Sequence, residues 1–234
     1  MKKLLIIIAA AYFAVLTAVH ADTSYLLIQG AFGDGGSTET FLWQVNYQAG
    51  TVITGQDLLT AVLGSTSLNG TYTDGFASTY NYYTSGNSTQ GAAFIDFGSS
   101  TSSPPAQPVA PFVVSFTLDG TTVAQDPSYS PGWTYYVAGG AGTNGSDNLG
   151  GAYPDGTWSF SNDGAYNRTL TNGSFDGYVF GSTFDSPSIA DFDPTVADFA
   201  GATVINVIPE PRSTALLIFG AGGMLLLLKK RRRA

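Results

Sequence analysis

The sequence predicts a mainly β protein, a β-dominated α+β domain with antiparallel-rich sheets and one short packed helix. An N-terminal signal helix and a C-terminal transmembrane helix flank it, and a jelly-roll-like β-sandwich is the alternative arrangement of the same strands. Three observations lead there. Between residues 22 and 208 Thr, Ser, Gly, Tyr, Phe and Val are abundant and turn dipeptides recur. Several short stretches alternate large apolar residues with small or polar ones, which is the period of a half-buried strand. Only one stretch carries apolar residues at helical spacing.

In chain order, residues 1–21, MKKLLIIIAAAYFAVLTAVHA, combine a basic start, an apolar run from Leu4 to Val19, and small residues Val19 and Ala21 where signal peptidase reads. This is a secretory signal peptide. It leaves residues 22–208 as one secreted β-rich domain of ordinary size. In FLWQVNY, Phe41, Trp43, Val45 and Tyr47 alternate and should share one strand face. TGQDLLTAVLG places Leu58, Leu59, Val62 and Leu63 on one helical stripe, with Thr54 as N-cap, Asp57 three residues on, and Gly64 at the C-terminal end.

Beyond the helix, a Ser and Pro-rich loop occupies residues 98–111, where four prolines forbid a central strand. PFVVSFTLDG should put Phe112, Val114, Phe116 and Leu118 on one face, and GWTYYVAGG should do the same with Trp133, Tyr135 and Val137. GTWSFS, GYVFGS and ATVINVI are shorter strands. Asp-Gly pairs at 34, 74, 119, 155, 163 and 176 are expected to mark turns, because both residues tolerate positive φ.

Composition removes most enzyme chemistries. There is no Cys, and the sole His, His20, lies in the signal peptide. Residues 22–208 also lack Lys, so His- and Cys-based nucleophile systems, His-ligated zinc and Schiff-base lysines are excluded from the domain. The same residues hold sixteen Asp and Glu against one base, Arg168, a net of about −15 at ordinary side-chain pKa values. Such a surface repels nucleic acid, whose recognition needs Lys and Arg.

No catalytic residue and no cofactor is expected. The Asp-rich loops at 144–148, 161–167 and 191–198 could offer oxygens to weakly bound Ca²⁺, but they lack the spacing of a calcium loop and are explained by turns. Paired carboxylates could hydrolyse glycosides without His or Cys. That is the alternative function, an extracellular carboxylate-dependent glycoside hydrolase, with Glu39 the only Glu of the domain. Trp43, Trp133 and Trp158 fit core packing. In TYTDGFASTYNYY, by contrast, Tyr80, Tyr82 and Tyr83 sit in a polar context and form the candidate glycan-binding surface.

The tail reads VINVIPEPRSTALLIFGAGGMLLLLKKRRRA. Residues 213–228 are uncharged, and a helix of that length reaches about 24 Å, enough to span a thinned bilayer. Lys229, Lys230, Arg231, Arg232 and Arg233 would hold its end in the cytoplasm and leave the domain outside, in agreement with the signal peptide. With Pro209, Glu210 and Pro211 before it, the segment 209–234 closely resembles the PEP-CTERM sorting signal of Gram-negative bacteria. The resemblance implies that exosortase, a membrane enzyme with a cysteine nucleophile, reads Pro209, Glu210 and Pro211 and processes the tail. The product then leaves the inner membrane for the cell surface or extracellular polysaccharide matrix. Arg212 stands where Ser or Thr commonly follows the motif.

ITGQDLLTAVL, GWTYYV and GTWSFSNDGAYNRTLTNGSFDGYVFG resemble an uncharacterised domain related to the β-grasp C-terminal domain of transcobalamin-like proteins. That resemblance implies a short helix on a small sheet, with Trp133, Arg168 and the stretch Asp176 to Gly181 holding the late hairpins together, in a ligand or interaction module. The expectation is therefore an exported, non-enzymatic surface or matrix protein with a structural or glycan-binding role, whose partners are signal peptidase, exosortase and extracellular polysaccharide.

Overall fold

The computed structural model describes residues 21–96, 102, 104–105, 111–129, 131–138, 158–161, 164–166, 168–182 and 197–207. Residues 1–20 of the signal peptide, the tail from 208 onward and most of the Ser/Pro loop lie outside them, while Ala21, the last residue assigned to the signal peptide, opens the first strand. Among the described residues no helix is long and apolar enough to cross a membrane.

Over the described residues the protein is mainly β, with two antiparallel-rich sheets and one α-helix. The strands are β1 (Ala21–Gly30), β2 (Glu39–Gln48), β3 (Thr66–Thr73), β4 (Thr79–Gly86), β5 (Gln90–Asp96), β6 (Pro111–Leu118), β7 (Thr121–Ala124), β8 (Gly132–Ala138), β9 (Ser159–Phe160), β10 (Ser174–Ser182) and β11 (Thr203–Asn206). Sheet one has the order β11-β2-β1-β10-β8-β9, and sheet two is the meander β3-β4-β5-β6-β7 without the crossed connections of a jelly roll. In sheet one β1 pairs in parallel with β10, and β11 with β2.

The sheets share a core because each strand turns one apolar set inward. Trp43 and Val45 of β2 join Leu26 and Ile28 of β1, and meet Phe94, Phe116 and Leu118 of sheet two. Phe116 bridges the layers, with its ring centroid 4.7 Å from Trp133 and 5.2 Å from Tyr178. At about 1.5–3 kcal/mol for each large apolar side chain withdrawn from water, this core is the main favourable contribution to folding. The helix α1 (Gly55–Leu63) closes it, touching β1 and β2 on one side and β4 and β5 on the other. Its start follows the sequence: Thr54 accepts from Asp57 N while Asp57 accepts from Thr54 N, a capping box, and Gly64 ends the helix at φ 91°.

Two expectations are corrected. Phe112 and Val114 do not share a face with Phe116 and Leu118. Ala93 pairs with Ser115 and Phe94 with Val113, so Val114 is an extra residue in β6, a bulge that reverses the alternation. Val113 therefore joins Phe116 and Leu118 in the core, while Phe112 and Val114 face outward. The second correction is Asp176-Gly177, which lies inside β10 rather than in a turn. Gly177 is there because Trp158 covers it, leaving a Cβ only 2.7 Å from the indole ring. Asp119-Gly120 does form its turn, a two-residue hairpin between β6 and β7 with φ of 47° and 79°.

Candidate functional site

The outer face of sheet two carries an aromatic surface. Alternation along β4 turns Asn81 and Tyr83 inward and leaves Tyr80 and Tyr82 on the outer face, where they pack with Tyr72, Phe112, Tyr129, Ala93, Ile95 and Val114. Tyr83 is thereby removed from the glycan-binding set: it is 0 % exposed, packs in the shared core and donates its hydroxyl to Pro105 O at 2.9 Å. Adjacent residues of one strand cannot serve the same face, so Tyr82 and Tyr83 are separated by the pleat itself.

Antiparallel pairing across the β3–β4 hairpin sets Tyr72 opposite Tyr80 and diagonal to Tyr82. Tyr72 and Tyr82 stack with centroids 6.2 Å apart and planes 20° from parallel. Phe76, 71 % exposed at the hairpin tip, stacks on Tyr129 at 6.2 Å, and Tyr129 meets Phe112 edge-on at 6.0 Å. Tyr72 could have been read from the sequence by folding TYTDGFASTYNYY about its Asp-Gly pair. Phe112 was hidden by the bulge, and Tyr129 by its 55-residue distance from Asp74.

Asp74 ties this surface together. It accepts from Phe76 N at 2.9 Å, Ser78 N at 2.8 Å, the Tyr129 hydroxyl at 3.1 Å and the Tyr80 hydroxyl at 3.4 Å. Gly75 N donates to Pro127 O at 2.8 Å, so the hairpin tip and the 126–129 loop are joined. Burial alone would raise the Asp74 pKa, but the donors at Ser78, Phe76, Tyr129 and Tyr80 outweigh it and hold the carboxyl below its ordinary value. Burial first, then the hydrogen bond to Asp74 and the Asp74 charge, push the Tyr129 hydroxyl well above the usual tyrosine range. Ring faces held at fixed tilt by buried carboxylate bonding form a preorganised apolar platform with polar edges, suited to stacking on flat apolar ring faces.

A second polar cluster lies inside. Arg168 and Asp176, each 1 % exposed, form an ion pair with Nε 2.7 Å from Oδ1, and the Tyr135 hydroxyl donates to Asp176 Oδ2 at 2.5 Å. Arg168 also donates to Phe175 O and Ala138 O. Its backbone carbonyl accepts from Gly55 N, and Ala165 O accepts from Gln56 N, which joins both residues to the start of α1. Trp133 pairs with Phe180 across β8 and β10. The burial of Arg168 and Asp176 makes this cluster a structural clasp.

Glu39 begins β2, exposed, beside the Gly33–Ser37 turn and on the other sheet from the tyrosines. Among the described residues no group of three or more His, Cys, Asp or Glu could hold a metal. The Asp-rich loop 144–148 lies outside the described residues, as does most of 191–198 and part of 161–167. Pro209, Glu210, Pro211 and the basic residues 229–233 lie outside them as well. No family model, no curated protein and no solved structure matches this chain.

Proposed function

We propose that the chain is an exported, non-enzymatic surface or matrix protein, sorted by a C-terminal signal of the PEP-CTERM kind, whose β-rich domain binds glycan on the outer face of sheet two. Sorting rests on one ordered arrangement: Pro209-Glu210-Pro211, sixteen uncharged residues and five bases at the C-terminal end of a chain that begins with an export signal. The glycan-binding role is supported by Tyr72, Tyr80 and Tyr82 on one partly exposed face, ordered through Asp74. Exosortase and signal peptidase are the processing partners in this reading, and extracellular polysaccharide is the ligand.

Replacing Pro209 and Pro211 by Ala should trap full-length protein in the inner membrane fraction. Release at the normal rate would remove exosortase from the account. For the domain, Tyr80→Ala and Tyr82→Ala together should abolish retention on immobilised polysaccharide while leaving the far-UV circular dichroism intact. Retention equal to the parent would place any glycan binding elsewhere.

A further inference from the structure

We infer that the aromatic face takes an uncharged, hydroxyl-rich glycan, with Tyr72 and Tyr82 as the stacking surface and the Gln125 amide and Tyr72 hydroxyl as its polar contacts. The inference rests on the glycan-binding reading above and names the ligand class.

Charge excludes the alternatives. An acidic polysaccharide would be met by Arg or Lys, which pair with carboxylate and sulfate by charge-assisted hydrogen bonds. The one base between residues 22 and 208 is Arg168, and it is sealed in the core against Asp176. Asp74 and Asp126 lie beside the aromatic face and would repel an anion. Nor is a cationic sugar provided for. Asp74 is occupied by four donors, and Asp126 accepts from the backbone and hydroxyl of Ser128. A neutral sugar is the glycan this surface leaves.

A second observation points to a hydroxyl-bearing ligand. Gln125 is 6 % exposed, yet neither its amide nitrogen nor its amide oxygen has a hydrogen-bond partner, and the hydroxyl of Tyr72 is equally orphaned. The two groups face each other: burial raises the Tyr72 pKa and a hydrogen-bonding contact with the Gln125 side chain lowers it in part, a contact too long or too bent to complete the bonding of either group. Buried polar groups are almost always satisfied, and a pair left open beside an aromatic platform is a mark of a missing partner. The amide offers both a donor and an acceptor, and the phenol the same, which is the complement of vicinal hydroxyls on a pyranose. Next to Gln125 in the chain, the 126–129 loop is tied to the hairpin tip by Gly75 N donating to Pro127 O, and Ala77 and Tyr129 both hold positive φ. In this proposal a shift of that tip and loop admits a sugar edge to the amide while its ring face lies on Tyr72 and Tyr82.

The test uses the full chain with Lys229, Lys230, Arg231, Arg232 and Arg233 replaced by Ser, so that the basic end does not itself hold an anionic polymer, kept in solution with a polyoxyethylene detergent that carries no sugar headgroup, against soluble polysaccharides in EDTA. Neutral glucans, mannans, galactans and xylans form one set, and alginate, polygalacturonate and heparin the other. The expected result is binding to at least one neutral polymer, unchanged in 0.5 M NaCl, and none to the anionic set. Gln125→Ala should weaken that binding about tenfold, as the loss of a bond to a buried amide would, and Tyr82→Ala should abolish it. Tighter binding to an anionic polymer than to any neutral one overturns the charge argument but leaves the glycan reading standing. If Tyr82→Ala abolishes binding and Gln125→Leu, a folded variant of similar volume, keeps it within twofold, the polar contact is misassigned. Binding to neither set overturns both.

Discussion

Asp176 and Asp74 each gather tyrosine hydroxyls, yet the two sites are built on opposite principles. Asp176 is met by a cation, Arg168, in the core, and the Tyr135 hydroxyl fills its second oxygen. Asp74 has no cation among the described residues and accepts from backbone N–H groups and tyrosine hydroxyls. The first arrangement is a clasp between β10 and the start of α1, where removal of a partner leaves a buried charge. The second orders a face that stays partly open to solvent. In a domain with a single base, that base was spent inside the fold, and the surface carries none.

The strongest way to break this comparison is Arg168→Met. It leaves Asp176 buried without its cation and should cost about 3–5 kcal/mol, read as a fall in urea midpoint at pH 7. The double variant Arg168→Met with Asp176→Leu should recover much of the loss. A single-variant cost near zero would mean that the pair is not a clasp.

Tyr135→Phe removes one charge-assisted bond and should cost about 1.5–3 kcal/mol. Burial, and then the Asp176 charge, raise the Tyr135 and Tyr178 hydroxyls well above 10.0, so the fold holds these protons more tightly than the unfolded chain. Their contribution is complete below pH 10 and is lost as pH rises beyond it toward the folded values. Alkaline urea titration should show a shallower decline for Tyr135→Phe than for the parent.

Gly55→Ala probes the same clasp by volume. A Cβ there would lie 2.9 Å from the Tyr135 hydroxyl, 3.0 Å from Ala165 Cβ and closer still to Asp176 Oδ2. Overpacking should cost about 1–3 kcal/mol despite the better helix propensity of Ala, and a thermal melt unchanged from the parent would show that the site can relax.

The smallest effect is expected at Asp74→Asn. The folded pKa of Asp74 lies below its unfolded value of 3.8, so its stabilisation is present above about pH 4 and is lost as pH falls through the folded value. The Asn variant should lose that acid slope, and at neutral pH it should be less stable than the parent by the amount the slope represents. An undiminished slope would assign it to other carboxylates.

Much of the fold was legible in sequence, for local reasons. Helix α1 announced itself by its stripe, its capping box and Gly64, all of which act within one or two turns. The β2 alternation held because nothing interrupts that strand. The β6 alternation failed at Val114 because a bulge is a property of a strand pair, invisible along one chain. Of the tyrosines chosen for glycan binding, Tyr80 and Tyr82 share the outer face while the pleat buries Tyr83. Asp176-Gly177 misled because its turn chemistry is overruled by Arg168 on one side of the sheet and Trp158 on the other.

The sequence by itself determined the charge balance, the missing nucleophiles, the helix and the strand content, because these depend on residue type and short-range periodicity. It also carried the whole argument for export and sorting. Tertiary structure alone decided that Arg168 would be buried against Asp176, that Tyr72 would meet both Tyr82 and Gln125, and that Asp74 would bind Tyr129. Those contacts join residues far apart in sequence, and they follow from which strands pair and which loops close over them.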